Sequence, residues 1–75
     1  MYYAGNEKLE VGACYDAGKG EQFVIFENVQ QCIKFVDLNS PIKYHFYEVE
    51  PQEHRIFVLG GGRYTTQSIK VIKEF

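Results

Sequence analysis

Glu48-Val49-Glu50 sets two carboxylates two positions apart, so on a strand they share one side, with His45 and Tyr47 on the other. Paired carboxylates can exchange a proton or steady a developing cation, and a histidine titrates near neutral pH. The same spacing also describes a solvated strand face leading into the turn at Pro51. Gly18-Lys19-Gly20 and Gly60-Gly61-Gly62-Arg63 could bring backbone N–H groups close to a phosphate. Neither has the G-x-x-x-x-G-K-[ST] spacing and neither leads into a helix. The first therefore reads as a hairpin turn, and the second as a flexible loop able to adapt to a partner.

Cys14, Cys32, His45 and His54 are ligand types for zinc, yet no two have ligand spacing. No metal or cofactor is expected from this set. Nor does a cysteine–histidine nucleophile emerge, since Cys14 has no evident activating base and Cys32 falls on an apolar stripe. Both cysteines read as reduced thiols. No catalytic residue is therefore assigned. The tyrosines carry a different chemistry, because a phenol buries area while keeping a polar end. Six of them cannot all be interior in 75 residues. Tyr2, Tyr3 and Tyr64 flank segments with little packing of their own, and with Arg63 they are the expected binding residues.

The elements that must position these groups follow from periodicity. Val29, Cys32, Ile33 and Val36 lie at i, i+3, i+4 and i+7, which predicts one amphipathic helix over 28–38. Asn28 is its N-cap, with Gln31 three residues on, and Asn39-Ser40-Pro41 stops it. Leu9, Val11, Ala13 and Tyr15 alternate with polar or small neighbours, predicting a half-buried strand. Residues 16–21 then close a hairpin with a central strand over 22–26. Strands are further expected over 42–50, 55–59 and 64–75, with a turn at 51–54. In the last of them Ile69, Val71 and Phe75 share one face. The expected fold is α+β, in the order β-β-α-β-β-β, a mainly antiparallel sheet with the helix on one face. Residues 1–75 form one domain.

Composition narrows the function classes. A content of 45% hydrophobic and 16% aromatic residues belongs to a folded globule. A formal net charge of -2 offers no electrostatic case for nucleic acid. The longest apolar run, Phe23-Val24-Ile25-Phe26, falls far short of a membrane span. Residues 1–7 lack the basic start and apolar centre of a secretory leader, so a cytoplasmic location is expected.

Four stretches carry a family resemblance. They are Val11-Gly12-x-x-Tyr15, the run Phe23-Val24-Ile25-Phe26-Glu27-Asn28-Val29-Gln30-Gln31-Cys32-Ile33, Phe46-Tyr47-Glu48-Val49-Glu50, and Ser68-Ile69-Lys70-Val71-Ile72-Lys73-Glu74-Phe75. Together, over residues 8–75, the chain resembles an uncharacterised family of short bacteriophage and prophage domains. That family usually has Gly and His beside the phenylalanines where this chain has Val24 and Ile25. The resemblance implies a phage origin and no activity. Glu48-Val49-Glu50 is also similar to the Glu-x-Glu of arginine-directed ADP-ribosyltransferases, but the upstream Arg and Ser-Thr-Ser strand of those enzymes are missing. The expectation is a small non-catalytic protein-binding module that modulates a host protein, or associates with itself, without nucleic acid or membrane. The alternative is a minimal enzyme or nucleotide-binding module using Glu48, Glu50 and His45.

Overall fold

The structure, a computed structural model, describes residues 1–36, 43–52 and 56–75. In chain order it contains β1 (Tyr2–Gly5), β2 (Cys14–Asp16), β3 (Phe23–Phe26), α1 (Val29–Phe35), β4 (His45–Pro51), β5 (Phe57–Gly60), β6 (Arg63–Thr66) and β7 (Ser68–Glu74). The seven strands form one sheet in the order β2-β7-β4-β1-β3-β6-β5, every neighbouring pair antiparallel.

The C-terminal segment dictates the shape of that sheet. Only Gln67 separates β6 from β7, yet these strands occupy the sixth and second places in the order. In a flat sheet four strand spacings would hold them about 19 Å apart. Two peptide steps reach about 7 Å at most. The sheet must therefore curl until β6 and β7 meet at Gln67. The expected single strand over 64–75 is instead two strands around this corner. Ala17 N–H donates to the Gln67 carbonyl (2.8 Å) and Gln52 N–H to that of Ser68 (3.0 Å), so the corner's backbone is satisfied from both sides.

The concave side of the curl holds the core of Ile25, Tyr47, Val49, Ile69 and Val71, with Tyr3, Tyr15, Phe23 and Tyr64 packed around it. Residues opposite one another across paired strands share a face. Val49 lies opposite Val71, Tyr15 opposite Ile69 and Ile25 opposite Tyr64, so the pairings themselves assemble this core. Phe26, next to Ile25, points to the other side, where its ring meets that of Phe35 at 5.0 Å. That contact ties α1 to the sheet, where it touches β1 and β3.

Several sequence expectations are corrected. The strand order has an N-terminal member that periodicity missed: β1 sits between β4 and β3, at the middle of the sheet. Its four residues, Tyr-Tyr-Ala-Gly, are too few to show alternation. The predicted strand from Leu9 to Tyr15 is mostly a turn. Ala13 N–H donates to the Glu10 carbonyl (3.3 Å), Gly12 has φ +90°, and Val11 is thrown out to solvent. The segment 16–21 does contain a turn, closed by Glu21 N–H on the Gly18 carbonyl (2.9 Å), but it closes no hairpin. Its strands β2 and β3 stand at the first and fifth places of the sheet. Phe75, expected on the face of Ile69 and Val71, is exposed and packs on Tyr2 (5.7 Å between ring centroids).

The helix is shorter than 28–38. Asn28 caps it as expected, its Oδ1 accepting from Gln31 N–H at 2.9 Å, and Val36 at its end is already extended. The stop at Asn39-Ser40-Pro41, the start of a strand at Ile42 and the turn through His54 lie outside the described residues.

The turn over residues 7–13 is held by phenols. The Tyr47 hydroxyl accepts from Leu9 N–H (2.8 Å) and donates to the Glu7 carbonyl (3.4 Å), while the Tyr15 hydroxyl accepts from Glu10 N–H (2.7 Å). Replacing Tyr47 by Phe keeps the core ring and removes both of its bonds. The expected cost is about 1–2 kcal/mol in urea unfolding, together with faster amide exchange at Leu9. Unchanged exchange at Leu9 would contradict this account.

Candidate functional site

Two surface features are distinctive, a bare edge strand and a cleft, and of the four expected binding residues only Tyr3 lines either. Tyr3 lies in the core shell, edge-on to Phe23 at 5.3 Å between centroids. Tyr64 is directly opposite Ile25 and belongs to the same shell. Tyr2 and Arg63 both lie opposite Phe26, from its two sides, in a transverse row on the convex side. The four candidates are thus split between the two sides of the sheet. Of these, Arg63 is exposed, with Nε donating to the Gly60 carbonyl at 3.4 Å.

The acidic pair is likewise distributed. Glu48 lies opposite Lys73 and Glu50 opposite Lys70, so each carboxylate faces a lysine across the ladder. His45 Nδ1 is 3.4 Å from Glu74 Oε2, with both side chains about one-third exposed. The Glu48 and Glu50 pairings are those of a charged strand face, whereas His45 and Glu74 meet on the side of Tyr47.

The first feature is the β5 edge. Ile56, Phe57, Val58 and Leu59 are 38%, 54%, 72% and 50% exposed, and β5 ends the sheet order, with β6 as its one neighbour among the described residues. Sequence reasoning took this apolar run as ordinary strand, because a run of apolar residues carries no mark of which side is covered. The turn that follows is fixed. Gly61 and Gly62 have φ +64° and +78°, as a tight two-residue hairpin requires, and Gly60 lies opposite Arg63. Leu59 is the extra residue of a bulge between Val58 and Gly60. Gln31 Nε2 donates to the Gly61 carbonyl at 2.8 Å, and Glu27 N–H to the Gly62 carbonyl at 2.8 Å. The glycine segment is therefore a hairpin turn tied to the start of α1, which corrects its reading as an adaptable loop. A Cβ on Gly62 would come within 2.5 Å of the Gln31 amide.

The second feature is a cleft of about 500 Å³ between the end of β1, the β2–β3 connection and the start of β3. Tyr3, Tyr15 and Phe23 contribute its aromatic wall, and Glu7, Asp16 and Glu21 its carboxylates. No described lysine, arginine or histidine lines it. Burial pushes the Tyr3 phenol above its ordinary pKa, and the negative charge of Glu7 adds to that. Among the described residues no group of three His, Cys, Asp or Glu side chains converges as a metal site. The signal in sequence was weak, because these carboxylates are spread between Glu7 and Glu21 over turns and β2 and meet only when the sheet curls.

Cys32 is fully buried, and burial pushes its thiol up to about 11, whereas Cys14 is exposed. This is a packing thiol rather than a nucleophile. No helix of the described residues is long and apolar enough to cross a membrane. No protein-family model, no curated protein and no solved structure matches the chain.

Two outcomes are expected. At pH 8 a thiol reagent labels Cys14 alone in the native protein and both cysteines in denaturant; equal native rates would place Cys32 at the surface. Gly62→Ala lowers stability by about 1–2 kcal/mol more than Gly61→Ala, whose Cβ meets nothing, and Gln31→Ala removes most of the difference. Equal melting points for the two alanine variants would remove Gln31 from the turn.

Proposed function

We propose that the chain is a non-catalytic protein-binding module that receives an extended segment of another protein along β5. The observation that carries this reading is the exposure of four successive apolar residues, Ile56 just before β5 and Phe57, Val58 and Leu59 on it, where β5 ends the sheet. An open edge offers a row of backbone donors and acceptors, and its side chains offer apolar area. The opposite edge is guarded: β2 is three residues long and carries Asp16. Half-exposed side chains of this size provide on the order of 100 Å² each, so the four reach roughly half of the 800 Å² that a stable partner buries. Pairing of two copies through β5 alone is thus undersized. A longer foreign segment, apolar at alternate positions, makes up the difference. The phage-like resemblance supplies the bait, a cytoplasmic host protein whose activity the module would alter.

The test is a strand-edge substitution with a matched control. Phe57→Lys and Leu59→Lys are expected to abolish capture of a defined partner from host lysate, while Ile72→Lys, on β7, retains it. Sizing across a concentration range accompanies the capture. Partner binding untouched by both β5 variants sinks the reading, and a dimer lost only in those variants replaces the foreign segment with a second copy.

A further inference from the structure

We propose that the cleft between β1 and the β2–β3 connection binds an organic cation, an alkylammonium or guanidinium group. The proposal concerns a different part of the sheet from β5 and does not rest on the strand-addition reading. Three properties of the cleft converge on this ligand class. Its volume of about 500 Å³ lies within the range of small-molecule sites and leaves room for a compact group. Its wall includes the aromatic side chains of Tyr3, Tyr15, Phe23 and Phe35, and an aromatic ring attracts a cation more strongly than a neutral group of the same shape. Its charged lining is of one sign, Glu7, Asp16 and Glu21, with no described basic residue among the lining side chains.

Each property alone has a duller meaning. Carboxylates on turns are usually solvated, and aromatic rings around a core are usually packing. Their arrangement distinguishes this case. Tyr3 and Phe23 meet edge-to-face at 5.3 Å, and the Tyr3 phenol already sits in the field of Glu7. The Tyr15 ring is held by its hydroxyl, which accepts from Glu10 N–H at 2.7 Å, so it lines the cleft in one orientation. An anion is repelled by this lining, and a neutral polar ligand gains hydrogen bonds but no charge attraction. A hard divalent metal ion requires converging oxygens, which the dispersed carboxylates do not supply. A polarisable organic cation uses both rings and charge, and it needs no exact coordination geometry.

Two sources present this group, a free small molecule and the side chain of lysine or arginine in a peptide. Titration of the full chain followed by amide chemical shifts separates them. The first probe is choline, paired with 3,3-dimethylbutan-1-ol, in which carbon replaces the charged nitrogen at almost the same shape. The expected result is saturable binding of choline that shifts Tyr3, Glu7, Asp16 and Phe23, at least tenfold tighter than the alcohol. The Asp16→Asn, Glu21→Gln double variant, both residues being exposed, should weaken choline at least fivefold while leaving the melting point and the alcohol's response unchanged. A trimethyllysine peptide binding more tightly than choline assigns the source to a protein partner, and equal affinity assigns it to a small molecule. Either satisfies the proposal. Equal responses to choline and the alcohol, or no saturable shift with any probe, overturn it. Because the β5 variants leave the cleft intact, loss of partner capture and loss of cation binding are separately readable.

Discussion

The fold depends on the corner at Gln67, where one residue joins strands from opposite parts of the sheet. A longer connection would let β6 and β7 lie apart and leave the sheet open. With one residue the chain has to bring them together, and the inner side becomes enclosed enough for Ile25, Ile69 and Val71 to lose all contact with water. For a domain of this size that enclosure matters, since a small chain buries proportionally little of its surface. The corner is polar where it must be. Thr66 and Ser68 are buried beside it, and the Thr66 hydroxyl donates to the Ser68 carbonyl at 3.3 Å.

The curl also explains how tyrosine can fill so small a core. Tyr47 is wholly buried, but its hydroxyl emerges against the backbone of residues 7–9 and is satisfied there. An aromatic ring with a polar end thus fills the interior and pins a turn that has little packing of its own. The argument that six tyrosines exceed the interior was sound as a count. Tyr3 and Tyr64 are half-buried and pack against the core through strand pairing that no local pattern announces.

The legible parts of the fold were those written in local spacing. The stripe of Val29, Cys32 and Val36 and the cap at Asn28 predict α1, and the apolar stretch of β3 predicts a strand with neighbours on both sides. Ile33, on the same stripe, is exposed, so the helix buries less of its apolar side than the spacing implies. What was illegible is non-local. The central place of β1 follows from its partners, β4 and β3, more than forty and twenty residues away by register of Tyr2 with Glu48 and Phe26. The exposure of β5 follows from its being last in the order. Neither quantity exists in a single window of sequence.

The same topology separates the two candidate surfaces and gives each its character. Since β2 and β3 are not neighbours, residues 17–22 must cross from the first strand of the sheet to the fifth. A connection that bridges an end of a curled sheet stands off from the core and leaves a concavity beneath it, and the turn residues that make the crossing possible bring Asp16 and Glu21 to its margin. On β5 the constraint runs the other way. An apolar edge invites uncontrolled pairing, and the remedies are a short strand, a charge or a bulge. β2 has the first two. Among the described residues β5 is also short but carries no charge, and it has a bulge at Leu59 where the hairpin turn is tied to Gln31. The hairpin end of this edge is therefore tied to Gln31, while its apolar side chains stay exposed.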